Sequence, residues 1–372
     1  MKQIYLDYNA STPMDPKVLE AMLPYFTQDF GNSASGTHAF GWTAKAAVEA
    51  ARQQVADSIG AEVSEIVFTS GATESINLAI QGVYGLFKNE KNHFITIATE
   101  HKAVLDTHAF LARQGAEVTY LRVDSTGQID LQVLENAIGD RTALVSVMLA
   151  NNETGVIHNI QKIAELVHAK KSILFSDCTQ ALGKMPLNVN ELGIDVLSLS
   201  AHKIYGPKGV GALYLRRKGP RVRVLPMMYG GGHENSFRAG TLNVPGIVGL
   251  GKACALINTD AELLGIAQLR RQLMEGLSEM GFQSNVPLQN TLVNTLNVFR
   301  LGSKASDLLV KTRVLAYSLG SACASEQGQP SHVLAAMSCT AQNIQSTIRI
   351  SIGRFTTEAD IVKALQIFKT AI

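Results

Sequence analysis

Four reactive side chains stand where a plain surface or core role fits them poorly. Lys203 follows the apolar run of "DVLSLSAHKIYGPKGVGALYL" and precedes Gly206, Pro207, Gly209 and Gly211, which let backbone approach closely. A lysine desolvated in such a place loses proton affinity and becomes able to form a Schiff base. Asp177 closes a second apolar run, in "SILFSDCTQALGK", with no basic residue beside it. A strand-end carboxylate of this kind either meets a cation or caps a helix beginning near Thr179. In "IVFTSGATESINLAI" the residues Ser70, Gly71, Ala72 and Thr73 join a strand-like run to a helix-like one. They either aim helix N–H groups at an anion such as phosphate or simply cap the helix. The turn is neither a Walker A loop nor a GxGxxG fingerprint. Cys323, in "YSLGSACASEQGQPSHVL", has no second cysteine nearby, no metal-ligand spacing and little apolar cover. Structural cysteines prefer the core.

A Schiff-base lysine, an acid that keeps a pyridine nitrogen protonated and a phosphate site are the parts pyridoxal phosphate requires. The elements around them suit that task. Short apolar runs at 65–70, 93–99, 117–123, 142–150, 172–177 and 195–201 alternate with helix-like segments such as 74–87 and 159–171. That alternation predicts an α/β protein with a mostly parallel seven-stranded sheet, whose strand ends are where ligands bind. "GVGALYLRR" reads as a strand returning to it, and the basic stretch at 215–224 as a solvated hairpin end. Past residue 255 the texture changes to an amphipathic helix, strand-like runs at 291–299, 314–320 and 347–353, and a closing helix, the pattern of a smaller α+β domain.

The composition sets limits. A chain of 372 residues with 46% hydrophobic and 17% charged content predicts an ordinary compact protein of two domains. Its net charge of +2 gives no field that argues for nucleic-acid or membrane binding. Four scattered cysteines without a CxxC pair argue against a disulfide scaffold or a structural zinc site and fit a reducing compartment. With no signal-like start and no apolar run near the roughly 20 residues of a membrane span, the expected location is the cytoplasm.

Longer motifs carry a specific resemblance. "YLDYNASTPMDP", "GNSASGTHAFG", "FTSGATESINLA", "ATEHKAVLD", "LANNETGVI", "SDCTQALGK", "SLSAHKIYGPKGVGALY", "GGGHENSFRAGTLN", "SLGSACAS" and "IRISIGRFTTEADI" span nearly the whole chain. In this order they resemble the NifS/IscS-type cysteine desulfurases, class-V aminotransferases of the fold-type I pyridoxal-phosphate enzymes. The length and "GSAC" context of the Cys323 segment are similar to the family's long-loop group. The resemblance implies a large cofactor domain over 14–255 and a small one from 1–13 plus 256–372 that carries the Cys323 loop.

It also implies roles. Lys203 matches the lysine that binds the cofactor aldehyde and moves protons at the substrate's Cα. Asp177 matches the pyridinium partner, Gln180 and Asn152 the contacts at the ring hydroxyl, and His101 the stacking histidine and acid/base for the substrate thiol. Ala72, Thr73, Ser200 and His202 match phosphate contacts. Thr241 is similar to a threonine that reaches the partner subunit's cofactor, which implies a homodimer. Arg349 looks like the clamp on the substrate's α-carboxylate, assisted by Asn32. Cys323 matches the sulfur-accepting cysteine, so the implied reaction turns L-cysteine into L-alanine and a persulfide bound for an acceptor protein. Its loop, almost empty of packing residues, is expected to move. The chain ends at "ALQIFKTAI" without the extension by which housekeeping members dock an iron–sulfur scaffold. The resemblance therefore leaves the acceptor open among such a scaffold, a tRNA-thiolation enzyme and a DNA-phosphorothioation pathway. A pyridoxal-phosphate lyase, aminotransferase or selenocysteine lyase without obligatory persulfide relay is the alternative.

Overall fold

The computed structural model describes residues 3–257, 259–319 and 330–372. Twelve strands are present among them: β1 (Ile4–Tyr5), β2 (Ile66–Thr69), β3 (His93–Ile97), β4 (Glu117–Leu121), β5 (Thr142–Ser146), β6 (Ile173–Asp177), β7 (Val196–Ser200), β8 (Gly211–Leu215), β9 (Gln283–Ser284), β10 (Thr295–Phe299), β11 (Leu315–Ala316) and β12 (Thr347–Ser351). Seven form one sheet in the order β2-β8-β7-β6-β5-β3-β4. Only β8 runs against the others, pairing antiparallel with both β2 and β7. Every residue of β2, β5, β7 and β8 is buried. That is why these segments read as unbroken apolar runs, since helices cover both faces of the sheet.

Helices Ala72–Phe87, Lys102–Arg113 and Ile160–Ala169 follow β2, β3 and β5. Each turns an apolar stripe inward, such as Ile76, Leu78, Ala79, Ile80 and Val83 on the first. Two smaller sheets lie apart in the topology. Strand β10 sits between β9 and β12 in an antiparallel sheet, and β1 pairs parallel with β11. Their residues Ile4, Leu6, Leu296, Val298, Leu315, Ile348 and Ile350 form a core with Leu273, Leu277, Ile361 and Phe368 from the two long C-terminal helices. The first strand thus packs with the last third of the chain.

Two local expectations fail. Residues 179–185 form turns where a helix was expected. The chain reverses at Gly183, whose φ of +73° suits glycine, and Gln180 and Lys184 turn inward to hydrogen bonds with Asn9. The basic stretch bends back at its exposed tip, residues 218–221, with Val222 N donating to Arg216 O at 2.9 Å, but it is no two-stranded hairpin, because β8 stops at Leu215 and no strand follows to pair with it. Val222 and Val224 are buried there, and the Arg217 guanidinium lies over the Phe237 ring.

Buried histidines give the fold a pH dependence. Burial pushes His108 and His158 down to about 4. Both stay neutral in the fold while the unfolded chain takes up their protons below its ordinary pKa near 6.5, so stability falls from pH 6.5 towards 4. At the acid end the loss is roughly 3 kcal/mol for each. Burial holds Glu100 and Glu153 above the carboxyl range, and those protons, kept in the fold but released by the unfolded chain, oppose part of the loss. His93, His101 and His202 are also lowered, so the histidines prevail. Calorimetry should find a lower Tm at pH 5 than at pH 7; an equal or higher value contradicts this balance.

Candidate active site

A cavity of about 770 Å³ opens at the C-terminal ends of the parallel strands, within the range of pockets that hold small cofactors. Lys203, Asp177, Gln180, Asn152, His101, Ala72, Thr73, Ser200, His202 and Arg349 all line it. Their order in the sequence gives no hint of this meeting, which the strand order produces.

The phosphate end is built by β2, β7 and β8. The Ser70–Gly71 turn leads into the helix Ala72–Phe87, whose first N–H groups, those of Ala72 and Thr73, have no intrahelical acceptor. The turn lies so close to β8 that a Cβ on Gly211 would fall 2.7 Å from Gly71 Cα. Ser200 Oγ lies 3.7 Å from where a Gly71 Cβ would stand. His202 places Nδ1 3.2 Å from Ser11 Oγ. Burial, together with Lys203, Lys208 and Lys184, pushes this imidazole down to about 4, so it is neutral at pH 7.

Asp177 ends β6, nearly buried, and its Oδ1 accepts from Thr179 N at 3.0 Å and Ser198 Oγ at 3.1 Å. Oδ2 has no hydrogen-bond partner among the described residues and belongs to a side chain on the cavity wall. Lys203 sits in the single helical turn after β7, where Nζ donates to Asn9 O at 2.5 Å and Ala10 O at 2.8 Å. Gln180 donates from Nε2 to Asn9 O at 2.9 Å. The cavity floor is therefore the N-terminal segment, with Asn9 as its hub.

His101 caps the helix Lys102–Arg113 by accepting the Ala103 N–H on Nδ1 at 3.2 Å. Burial lowers this imidazole, with Lys203 and His332 adding to the effect and Asp177 opposing it. Arg349, on β12, is almost wholly buried. Its NH2 donates to Asp7 Oδ1 at 2.6 Å and Ser318 Oγ at 3.0 Å, and NH1 donates to Asn152 O at 3.1 Å. Its buried Nε has no partner among the described residues.

These observations fit pyridoxal phosphate. One cavity lining offers a carboxylate oxygen, Asp177 Oδ2, without a hydrogen bond among the described residues, the Ala72 and Thr73 N–H groups at a helix start, and the Lys203 amine. Two expected site residues among the described ones, Asn32 and Thr241, are absent from the cavity lining. Asn32 and Thr241 are exposed, and Asn32 Oδ1 accepts the N–H of Ala34 in its own turn. Cys323 lies outside the described residues. The segment carrying Thr241 is pinned to the phosphate end, since Arg238 pairs with Glu74 at 2.8 Å and Glu234 with Arg52 at 2.7 Å. Glu234 also accepts the N–H of Phe68 on β2.

Other residues at the site were not anticipated. Lys184 is buried behind Gln180, donating to its Oε1 at 2.5 Å and to Asn9 Oδ1 at 3.2 Å. Burial lowers it well below the lysine range, with Lys203 and Arg349 adding to this. Its spacing of four residues from Gln180 was the available sign. Glu100 lies against the site with Oε2 unpartnered. Burial and the nearby Asp177 hold its carboxyl well above the usual range. His332, on the cavity wall, donates from Nε2 to Glu100 O at 2.9 Å.

Comparison with known proteins gives a consistent picture. The family model described as aminotransferase class-V matches residues 4–364. A protein named cysteine desulfurase IscS from Anaeromyxobacter dehalogenans (strain 2CP-C) is 49% identical over 369 residues, covering 98% of this chain and 91% of that one. A solved NifS-like protein superposes with a TM-score of 0.91 at 37% identity, covering 99% of both chains. A structure described as SspA in complex with cysteine gives a TM-score of 0.85 at 38% identity, covering 95% of this chain and 99% of the other.

Proposed function

The chain belongs to the class-V aminotransferase family and within it is a pyridoxal-phosphate-dependent cysteine desulfurase, and from this premise we infer how its cavity works. The observation that carries the reading is the convergence of Lys203, Asp177, His101 and Arg349 on one cavity. When bound, pyridoxal phosphate supplies an electron sink for bond breaking at the substrate's α- and β-carbons.

The residues do the rest. Asp177, through Oδ2, holds the ring nitrogen's proton. Gln180 and Asn152 would hydrogen-bond the ring hydroxyl, His101 would lie against the ring, and the Ala72–Thr73 N–H groups with Ser200 and His202 would hold the phosphate. Lys203 carries the cofactor and then moves the proton at the substrate's Cα. Arg349, anchored by Asp7 and Ser318, presents its buried fork to the substrate's carboxylate. Cys323 takes the sulfur: its S–S bond to the substrate's Sγ forms as the Cβ–S bond breaks, leaving L-alanine after protonation. Cys323 stands five positions after Ser318 in the sequence, and Ser318 accepts from the Arg349 fork itself. The sulfur then passes to an acceptor protein.

The finer organisation follows the same reading. Asn32 and Thr241, exposed in one chain, belong to segments that also expose Phe26, Phe30, Phe40, Trp42 and Tyr229. A second copy covering these aromatics would complete each site in a homodimer, with Asn32 assisting at the carboxylate and Thr241 reaching the other copy's phosphate. We place a large unit at 14–255 and a small one from 1–13 plus 256–372; the core that joins Ile4 and Leu6 to Leu296, Ile348 and Phe368 supports the small unit, while Val286, Leu292, Val333, Leu334 and Met337 reach across into the main core. No helix among the described residues is long and apolar enough to cross a membrane. Cys178, Cys254 and Cys339 are free thiols, which supports a cytoplasmic site of action. In the assay that tests this function, protein loaded with the cofactor converts L-cysteine to L-alanine and, with a thiol reductant, sulfide; failure to form alanine overturns it.

A further inference from the structure

The cavity is lined by three imidazoles; with His202 at the phosphate, hydrogen bonds separate the chemistry of the other two. His101 Nδ1 accepts the Ala103 N–H, so its lone pair is used and a neutral His101 can present only Nε2–H to the cavity. His332 has the opposite arrangement. Its Nε2 lies 2.9 Å from Glu100 O, a carbonyl that only accepts, so Nε2 bears the hydrogen and the Nδ1 lone pair remains. No hydrogen bond engages that nitrogen among the described residues.

The mount is rigid. Ser331 caps the helix His332–Ala336 by accepting the Leu334 N–H at 3.1 Å and donates to Glu153 Oε2 at 2.5 Å. Val333 and Leu334 are buried in the main core. The charged or titratable groups facing His332 are Glu153 and His101, with Lys203, Arg349 and Asp106 further along the same cavity wall. Once the cofactor and the substrate carboxylate take their assigned partners, Lys102, Lys208 and His332 remain on the wall, and of these His332 is the imidazole with a lone pair that no hydrogen bond engages among the described residues.

We propose that His332 accepts the proton of the substrate thiol, while His101 serves as a hydrogen-bond donor. The S–H bond breaks, its electron pair stays on sulfur and an N–H bond forms at Nδ1, so nothing is oxidised or reduced. This inference rests on the desulfurase reading above. Burial, which holds His101 below the ordinary histidine value, agrees with its donor role at pH 7.

His332→Gln tests it, because glutamine keeps an N–H for Glu100 O yet offers no base. The loaded variant should keep wild-type colour and Tm. Its kcat/KM for L-cysteine should fall about 100-fold at pH 7 and recover above roughly pH 8.5, where the thiol ionises unaided. Wild-type kinetics across the pH range, or an equal loss at every pH, overturns the proposal. A readout free of turnover is nitrogen NMR of the histidine-labelled protein: neutral His332 should carry its proton on Nε2, and a proton on Nδ1 overturns the proposal. Should wild-type protein form no alanine, the desulfurase reading itself fails; an active wild type with an indistinguishable His332→Gln removes His332 alone.

Discussion

Lys203→Ala is expected to lower alanine formation from L-cysteine by at least about 1,000-fold. The buried neighbour Lys184 cannot substitute in place. Lys184 is buried behind Gln180 with its Nζ committed to Gln180 and Asn9, so reaching the cavity would mean abandoning both acceptors. The fold should survive the change. Asn9 O keeps its bond from Gln180, and the loss of the lysine's bonds to two main-chain carbonyls costs on the order of 1 kcal/mol each. Borohydride reduction followed by peptide mass spectrometry should find the cofactor on the Lys203 peptide of the wild type and on no peptide of the variant. Turnover within tenfold of wild type would contradict the role given to this lysine.

Asp177→Asn should cost about 100-fold to 1,000-fold in kcat. The amide fits the same space, and its Oδ1 can still accept the Thr179 N–H and the Ser198 hydroxyl. What it loses is a buried negative charge facing the ring nitrogen. Because that charge is costly to bury when nothing cationic meets it, the cofactor-free variant should melt at or slightly above the wild-type temperature. Two neighbours report the change. Asp177 helps hold the Glu100 carboxyl up and raises His101, so both should titrate at lower pH in the variant. A kcat within threefold of wild type would show that another group protonates the ring.

The chemistry-bearing strand ends were legible because each announces itself locally. "LSLSAHK" and "ILFSD" are apolar runs that stop at one charged residue, and a sheet covered on both faces makes such runs unmistakable. The parallel sheet followed from the same alternation. What the local pattern could not show is the cavity floor. Asn9 meets Lys203 and Gln180 across more than 170 residues, and nothing near "DYNAST" encodes that meeting. His332 was hidden for a similar reason, since its partner is the main-chain carbonyl of Glu100, 232 positions away. The helix expected after Asp177 failed because the inward pull of Gln180 and Lys184, with the left-handed turn at Gly183, outweighs local propensity. Thr241 and Asn32 show the reverse case: their motifs are legible, yet one chain does not bring them to the cavity.

The central claim is that sulfur leaves L-cysteine onto Cys323, and a single turnover without reductant tests it most directly. Loaded protein is mixed with one equivalent of L-cysteine, alanine is counted, and the cysteine peptides are weighed by mass spectrometry. We predict equal amounts of alanine and of one added sulfur on the Cys323 peptide, with neither product from Cys323→Ser. Alanine formed at the wild-type rate by Cys323→Ser, or sulfur found instead on Cys178, Cys254 or Cys339, would contradict the account.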